Sequence, residues 1–186
     1  FISPIANYGL SYYKYYLMDS MNIDGYWCYE LKYIPKRKGE LTLDGTIWVH
    51  DTTYAVKKIQ GNIAKDANLN LVEDLSITQT FRQVEDEVWM LTKDELFISF
   101  SLAKNKTGFY GRKATYYSEF VINKPKQDAF YKGLNNIFVE DSVQLKSNEY
   151  WNKHRQDTLT KKEQGVYDMI DTLSRLPIIR SYTDII

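Results

Sequence analysis

Apolar and polar residues alternate with a period of two over much of the first 124 residues, which is the pattern of a half-buried β-strand. Leu75, Ile77 and Phe81, for example, are separated by residues that carry hydroxyl groups or an amide. Alternation of this kind puts every second side chain on the same face of a sheet. The pattern predicts strands over residues 12–18, 26–34, 41–50, 54–64, 75–81, 88–92, 96–102 and 114–122.

Short turn sequences separate the predicted strands. Asp24-Gly25 is typical of a two-residue hairpin turn, because glycine accepts the positive φ that such a turn requires. Pro35 cannot donate to a strand ladder, and Gly39 permits a reversal four residues later. We interpret Gly45, inside the third strand, as a β-bulge. Consecutive strands joined by hairpins predict a meander.

The pattern changes from strand to helix after Pro125. Residues 149–155 predict a short helix, and Thr160-Lys161-Lys162-Glu163 is a capping box that predicts the start of another. Apolar residues follow at helical spacing until Pro177, which ends the helix. The predicted fold is therefore α+β and mostly β. It is a curved antiparallel meander sheet, a half-barrel of about 7–8 strands in residues 1–124. A loop and helical tail in residues 125–186 completes a single domain.

Composition narrows the classes of partner. Lys and Arg together number 24, as do Asp and Glu, so the net charge is zero and no basic excess favours nucleic-acid binding. No apolar stretch is long enough for a transmembrane helix. The short basic run Lys36-Arg37-Lys38 has two interpretations: a tip that contacts an anionic membrane surface, or a solvated turn.

Residues that could carry catalysis are scarce and scattered. His50 and His154 lie far apart in the chain, and neither belongs to a metal-binding motif. Cys28 is the one cysteine and lies inside a predicted strand, where no local helix N-terminus would lower the pKa of its thiol. We find no nucleophile elbow and no phosphate-binding loop. The sequence therefore predicts a protein that is not an enzyme and has no catalytic residue, metal site or cofactor.

Aromatic residues are the most distinctive feature, since the chain contains 16 tyrosines. In the first strands they occur at both odd and even positions, so rings lie on both faces of the predicted sheet. Either the protein's own helices cover the second face, or a ligand or partner does. The candidate contacts for a hydrophobic ligand or partner are Tyr13, Tyr15, Trp27, Tyr29 and Trp48.

Several segments resemble known families. Residues 24–31 (DGYWCYEL), 33–36 (YIPK) and 47–59 (IWVHDTTYAVKKI) resemble the hairpins of the LolA/LolB-like lipoprotein-carrier fold. That fold is a curved half-barrel whose concave apolar face is covered by helices. Together with residues 89–93, 150–155 and 159–163, these segments more closely resemble the middle region of a Gram-negative envelope family of unknown function. Its members carry an N-terminal carboxypeptidase-regulatory-like domain and a C-terminal outer-membrane barrel.

The resemblance implies a function but transfers no functional residue. It implies a fragment of a larger protein, located at the periplasmic face of the outer membrane. The expected role is a non-catalytic binding or scaffolding module whose concave face takes a lipid, another hydrophobic ligand or another envelope domain. The alternative is a structural spacer between an N-terminal domain and an outer-membrane barrel.

Overall fold

The structure, a computed structural model, describes residues 2–67, 69, 72–101, 108–132 and 146–174. The chain divides into two compact units, residues 1–124 and residues 125–186. The first unit contains every strand of the described residues, and the second contains helices α2 to α4.

The first unit is a seven-stranded sheet in which every strand pairs with the next one along the chain, always antiparallel. The sheet is curved and does not close, so the predicted mostly-β half-barrel meander is confirmed. A short helix, α1 (Gly9–Tyr12), precedes the sheet. The strands are β1 (Tyr13–Ile23), β2 (Tyr26–Pro35), β3 (Leu43–His50), β4 (Val56–Ile63), β5 (Val72–Glu85), β6 (Val88–Phe100) and β7 (Phe109–Tyr116).

Two of the predicted strands are a single strand. Residues 88–92 and 96–102 were separated in the sequence by the polar residues Lys93, Asp94 and Glu95, which interrupt the apolar pattern. In the structure β6 continues through them, because each of the three has a partner on β7. The Asp24-Gly25 hairpin is as predicted, and both residues have positive φ, 51° and 86°.

Gly45 is not a bulge, and that prediction was wrong. It pairs in register with Gly61 of β4, and the irregularity in this pair of strands lies between Trp48 and Val49. A Cβ atom added at Gly61 would lie 2.3 Å from the hydroxyl oxygen of Tyr33, which is too close for any real contact. Gly61 therefore makes room for the Tyr33 side chain, whereas Gly45 allows the close approach of the β4 backbone at Gln60.

The strand register defines two faces of the sheet, because directly opposed residues point to the same side. Tyr33 lies opposite Gly45, which lies opposite Gly61, which lies opposite Ile77. This side, called the apolar face below, carries the buried cluster Tyr13, Tyr33, Leu43, Ile47, Ile59 and Leu75. The other side, the polar face, includes the opposed residues Glu30, Trp48, Lys58 and Thr80.

The second unit contains three helices: α2 (Asp128–Tyr131), α3 (Asn148–His154) and α4 (Lys161–Ser174). The predicted short helix over residues 149–155 is confirmed as α3. The predicted capping box is also present. The amide of Glu163 donates to Thr160 Oγ1 at 3.3 Å, and the amide of Thr160 donates to Glu163 Oε2 at 2.8 Å. Pro177, predicted to end this helix, lies outside the described residues.

None of the helices in the described ranges combines the length and the apolar character that crossing a membrane requires.

Candidate functional site

One end of the apolar face is covered by the segment that precedes α1. The hydroxyl of Tyr13 donates to the carbonyl oxygen of Ile2, and the hydroxyl of Tyr15 donates to that of Pro4, both at 2.5 Å. The amide of Ile2 donates to the carbonyl oxygen of Leu41, two residues before β3. Burial raises the pKa of the Tyr13 and Tyr15 hydroxyls, so both stay protonated as donors. Residues 2–4 are thus held over the sheet, and we call this the covered end.

A small cavity remains beneath this segment. It has a volume of about 180 Å³ and lies between residues 2–4 and the apolar face, with Tyr33, Ile59 and Ile77 among its walls. Ligand pockets usually measure about 300–1,000 Å³. The cavity at the covered end is therefore smaller than a typical ligand site.

Within the first unit, the other end of the apolar face has no cover among the residues that the structure describes. Leu17 lies opposite Leu31, and Tyr29 lies opposite Val49. Trp27 is two residues before Tyr29 on β2 and so shares its face. These side chains are exposed to solvent: Leu17 by 67 %, Trp27 by 50 % and Tyr29 by 39 %.

Three large apolar side chains are thus uncovered on the same face as the core. We call Leu17, Trp27 and Tyr29 the open end. Clustered exposure of this kind marks binding surfaces more often than single exposed residues do.

A model of a family of unknown function, DUF5686, matches residues 1–120. The chain belongs to this family. The matched region contains the whole DUF5686 sheet and its open end, whereas α2 to α4 lie beyond it. Neither the curated proteins nor the solved structures include a significant match to the chain. The predicted membership in a family of unknown function is confirmed; the envelope location and the likeness to LolA stay predictions.

The DUF5686 sheet does not bring the five predicted contact residues together on one surface. Tyr15, Trp27 and Tyr29 lie on the apolar face and are at least partly accessible. Tyr13 shares that face but is 1 % exposed beneath residues 2–4. Trp48 lies on the polar face, opposite Glu30 and Lys58. A ligand at the open end would therefore meet two of the five, Trp27 and Tyr29, because the Tyr15 hydroxyl is held by Pro4 at the covered end.

Trp48 has a different environment from the other rings. The ammonium group of Lys58 lies 5.2 Å from its ring centroid, within the range of a cation–π contact. Its indole Nε1 is buried and has no hydrogen-bond partner among the residues that the structure describes. Trp48 therefore packs within the polar face and contributes nothing to the open end.

One buried lysine is not predicted from the sequence. Lys57 is the extra residue of the β3–β4 irregularity and is only 2 % exposed. Its Nζ lies 3.0 Å from Asp24 Oδ2 and donates to the carbonyl of Phe81 at 3.3 Å, and it also lies over the ring of Tyr26. These contacts join three hairpins at one end of the sheet. The adjacent pair Lys57-Lys58 was the available signal, since alternation points one of two neighbouring lysines inward.

His50 and Cys28 have structural partners. His50 Nδ1 lies 2.8 Å from Thr53 Oγ1, and its ring lies against Tyr26 and Trp89. Burial raises the pKa of the Cys28 thiol, which works against formation of a reactive thiolate. Within the described ranges no three His, Cys, Asp or Glu side chains are grouped so that they could hold a metal ion. The geometry around these residues is that of packing contacts.

Proposed function

We propose that the chain is a non-catalytic binding module that takes a hydrophobic, lipid-like ligand on the open end of its apolar face. The observation that carries this proposal is the exposure of Leu17, Trp27 and Tyr29 beside the core. Burying a large apolar side chain contributes about 1.5–3 kcal/mol. Covering these side chains would therefore supply a substantial driving force for binding.

The non-catalytic part of the proposal is supported by the environment of the reactive groups. Lys57 is engaged by a carboxylate and a carbonyl, and His50 is hydrogen-bonded within its own turn. An active site needs a nucleophile or base that faces the position of a substrate. These groups face other side chains of the sheet instead.

The proposed location is the periplasmic face of the outer membrane, within a larger protein. It is supported by the sequence resemblance to envelope proteins with an outer-membrane barrel. A lipid-like ligand suits that location, because acyl chains and lipoproteins must be shielded from water between two membranes.

A second candidate is a structural spacer between two other domains. It is favoured by the covered end, where residues 2–4 already fill much of the apolar face and leave about 180 Å³. In that case the open end would pack against a neighbouring domain of the same protein, and no free ligand would bind.

Titration with a dansyl-labelled fatty acid separates the two candidates. The dansyl group is excited directly, so its emission reports transfer into an apolar site without depending on energy transfer from tryptophan. A ligand-binding module is expected to give saturable binding at micromolar concentrations, with a blue-shifted emission. A spacer is expected to give none.

Matched substitutions locate the binding surface. Trp27→Ala is expected to weaken binding at least tenfold, because it removes the largest ring of the open end. Trp151→Ala is the control, since Trp151 lies in α3 and is also exposed, by 39 %. Equal loss in both variants would indicate nonspecific adsorption and would contradict the proposed site.

A further inference from the structure

A second surface lies away from the open end, at the opposite end of the strands, where β2 and β4 end and β3 begins. A groove of about 550 Å³ runs between the β2–β3 connection and the residues that follow β4. Its apolar wall includes Ile34, Pro35 and Ala64. Lys36, Arg37, Lys38 and Lys65 surround it, and we call it the basic groove.

The β2–β3 connection is fixed in place beside β4. The amide of Gly39 donates to Asp66 Oδ2 at 3.0 Å, and Gly39 has a positive φ of 78°. Nζ of Lys36 donates to the carbonyl of Leu10 at 2.6 Å. The connection is thus tied to the end of β4. The cations of the connection therefore line the same groove as Lys65.

Two of the four cations are available to a ligand. Among the residues that the structure describes, Lys38 and Lys65 have no ion-pair partner. Arg37 contacts Glu40 at 3.4 Å, with its own side chain 71 % exposed, so that pair is weak. The carboxylates in the lining are Asp44 and Asp66, and Asp66 already accepts from Gly39. The groove is therefore net positive.

We propose that the basic groove binds the phosphate group of an anionic phospholipid at a membrane surface. The cations attract the phosphate, and the apolar wall accommodates the glycerol and the first methylene groups beside it. A small inorganic anion would use the cations but leave the apolar wall uncovered. The volume of the groove lies within the range of ligand sites, about 300–1,000 Å³.

The site goes beyond the proposed function and does not depend on it. Ile34 lies opposite Lys14, and Asp44 lies opposite Asn62, so the groove opens toward the polar face of the sheet. Leu17, Trp27 and Tyr29 occupy the apolar face near the other end. Loss of fatty-acid binding and loss of membrane binding can therefore be measured separately.

Vesicle co-sedimentation of the full chain tests the proposal. Vesicles of phosphatidylcholine with phosphatidylglycerol are expected to bind it, and vesicles of phosphatidylcholine alone are not. Replacing two lysines near a charged surface is expected to weaken binding about 30-fold, so Lys38→Gln with Lys65→Gln is the informative double variant. Binding should also fall as the Debye length drops from about 10 Å at 0.1 M salt to about 3 Å at 1 M.

The control is a double variant with the same charge change, Lys161→Gln with Lys162→Gln, at two exposed positions of α4. It is expected to bind anionic vesicles almost as well as the unchanged chain. Equal weakening in both double variants would mean that only net charge matters, which would overturn the groove.

Soluble competitors distinguish the source of the phosphate. Inorganic phosphate and glycerol 3-phosphate are each added to the vesicle mixture at matched ionic strength. If either displaces the chain at micromolar concentration, the site takes a soluble anion and the lipid proposal is wrong. If neither does so, while the lysine variants lose binding, the lipid headgroup is supported. No binding to anionic vesicles at low salt would also overturn the proposal.

Discussion

The two ends of the apolar face carry similar side chains in opposite surroundings. At the covered end, Leu43 is 7 % exposed and Tyr33 is fully buried. At the open end, Leu17 is 67 % exposed and Tyr29 is 39 % exposed, although both point to the same side of the same sheet. What differs is the cover, because residues 2–4 lie over the first end only.

This difference separates side chains that stabilise the sheet from those free to bind a ligand. A buried leucine already contributes its hydrophobic free energy to folding. An exposed leucine can release the same hydrophobic free energy only when a ligand or partner buries it. Substitutions at the covered end should therefore change stability, and substitutions at the open end should change binding.

Matched leucine truncations give the largest expected contrast. Leu43→Ala should lower the free energy of unfolding by about 2.5–5 kcal/mol, because it removes buried methyl groups and leaves a cavity. Leu17→Ala should change it by less than about 0.5 kcal/mol, since Leu17 is mostly in water already. Urea unfolding followed by circular dichroism measures both. Similar losses in the two variants would mean that the open end is buried in solution.

Two glycines of the apolar face differ in the space that surrounds them. A Cβ at Gly61 would meet the Tyr33 hydroxyl, so Gly61→Ala should destabilise the sheet by about 1–3 kcal/mol. A Cβ at Gly111 would meet only Ile98, at an ordinary 3.6 Å. Gly111→Ala should therefore be neutral, or stabilising by up to about 1 kcal/mol. Thermal unfolding of both variants checks this, and a harmless Gly61→Ala would contradict the close approach of Tyr33.

The sheet could be predicted because its evidence is local. Alternation within each strand and the Asp24-Gly25 turn depend only on neighbouring residues, so strands and hairpins follow from them. Gly45 was misread because a glycine in a strand is equally typical of a bulge and of a close approach. The close approach that requires glycine there is that of the Gln60 backbone, which belongs to a different strand, β4.

The candidate site could be predicted only in part. Trp27 and Tyr29 are two residues apart on β2, so the sequence alone predicts that they share a face. Trp48 lies in a continuous apolar run, Ile47-Trp48-Val49, where alternation cannot assign a face. The cover supplied by residues 2–4 is a long-range contact with no local pattern. The sequence therefore could not show which of the aromatic residues are exposed.

Alkaline pH should weaken the covered end. Burial raises the pKa of the Tyr33 hydroxyl above its ordinary value near 10. Well below pH 10 the hydroxyl is protonated in both the folded and the unfolded chain, so its contribution to stability is complete. As the pH rises through 10 the unfolded chain ionises first, and stability falls by about 1 kcal/mol between pH 10 and pH 11 for this one residue.

Urea unfolding of the unchanged chain and of Tyr33→Phe at pH 9, 10 and 11 isolates that contribution. The variant cannot ionise at this position, so its stability should fall less steeply between pH 10 and 11. Parallel pH curves for the two proteins would mean that Tyr33 is accessible to water, and the covered end would not be closed.

Removal of single hydroxyl groups at neutral pH gives the smallest contrast. The Tyr33 hydroxyl donates to the carbonyl of Gln60 at 2.9 Å, so Tyr33→Phe should cost about 1 kcal/mol of unfolding free energy. Tyr29→Phe should change it by less than about 0.5 kcal/mol, because that hydroxyl is at the exposed open end. Chemical unfolding at pH 7 measures both. A larger loss from Tyr29→Phe than from Tyr33→Phe would reverse the assignment of the two ends, because the hydroxyl that matters for folding would then lie where we place the ligand.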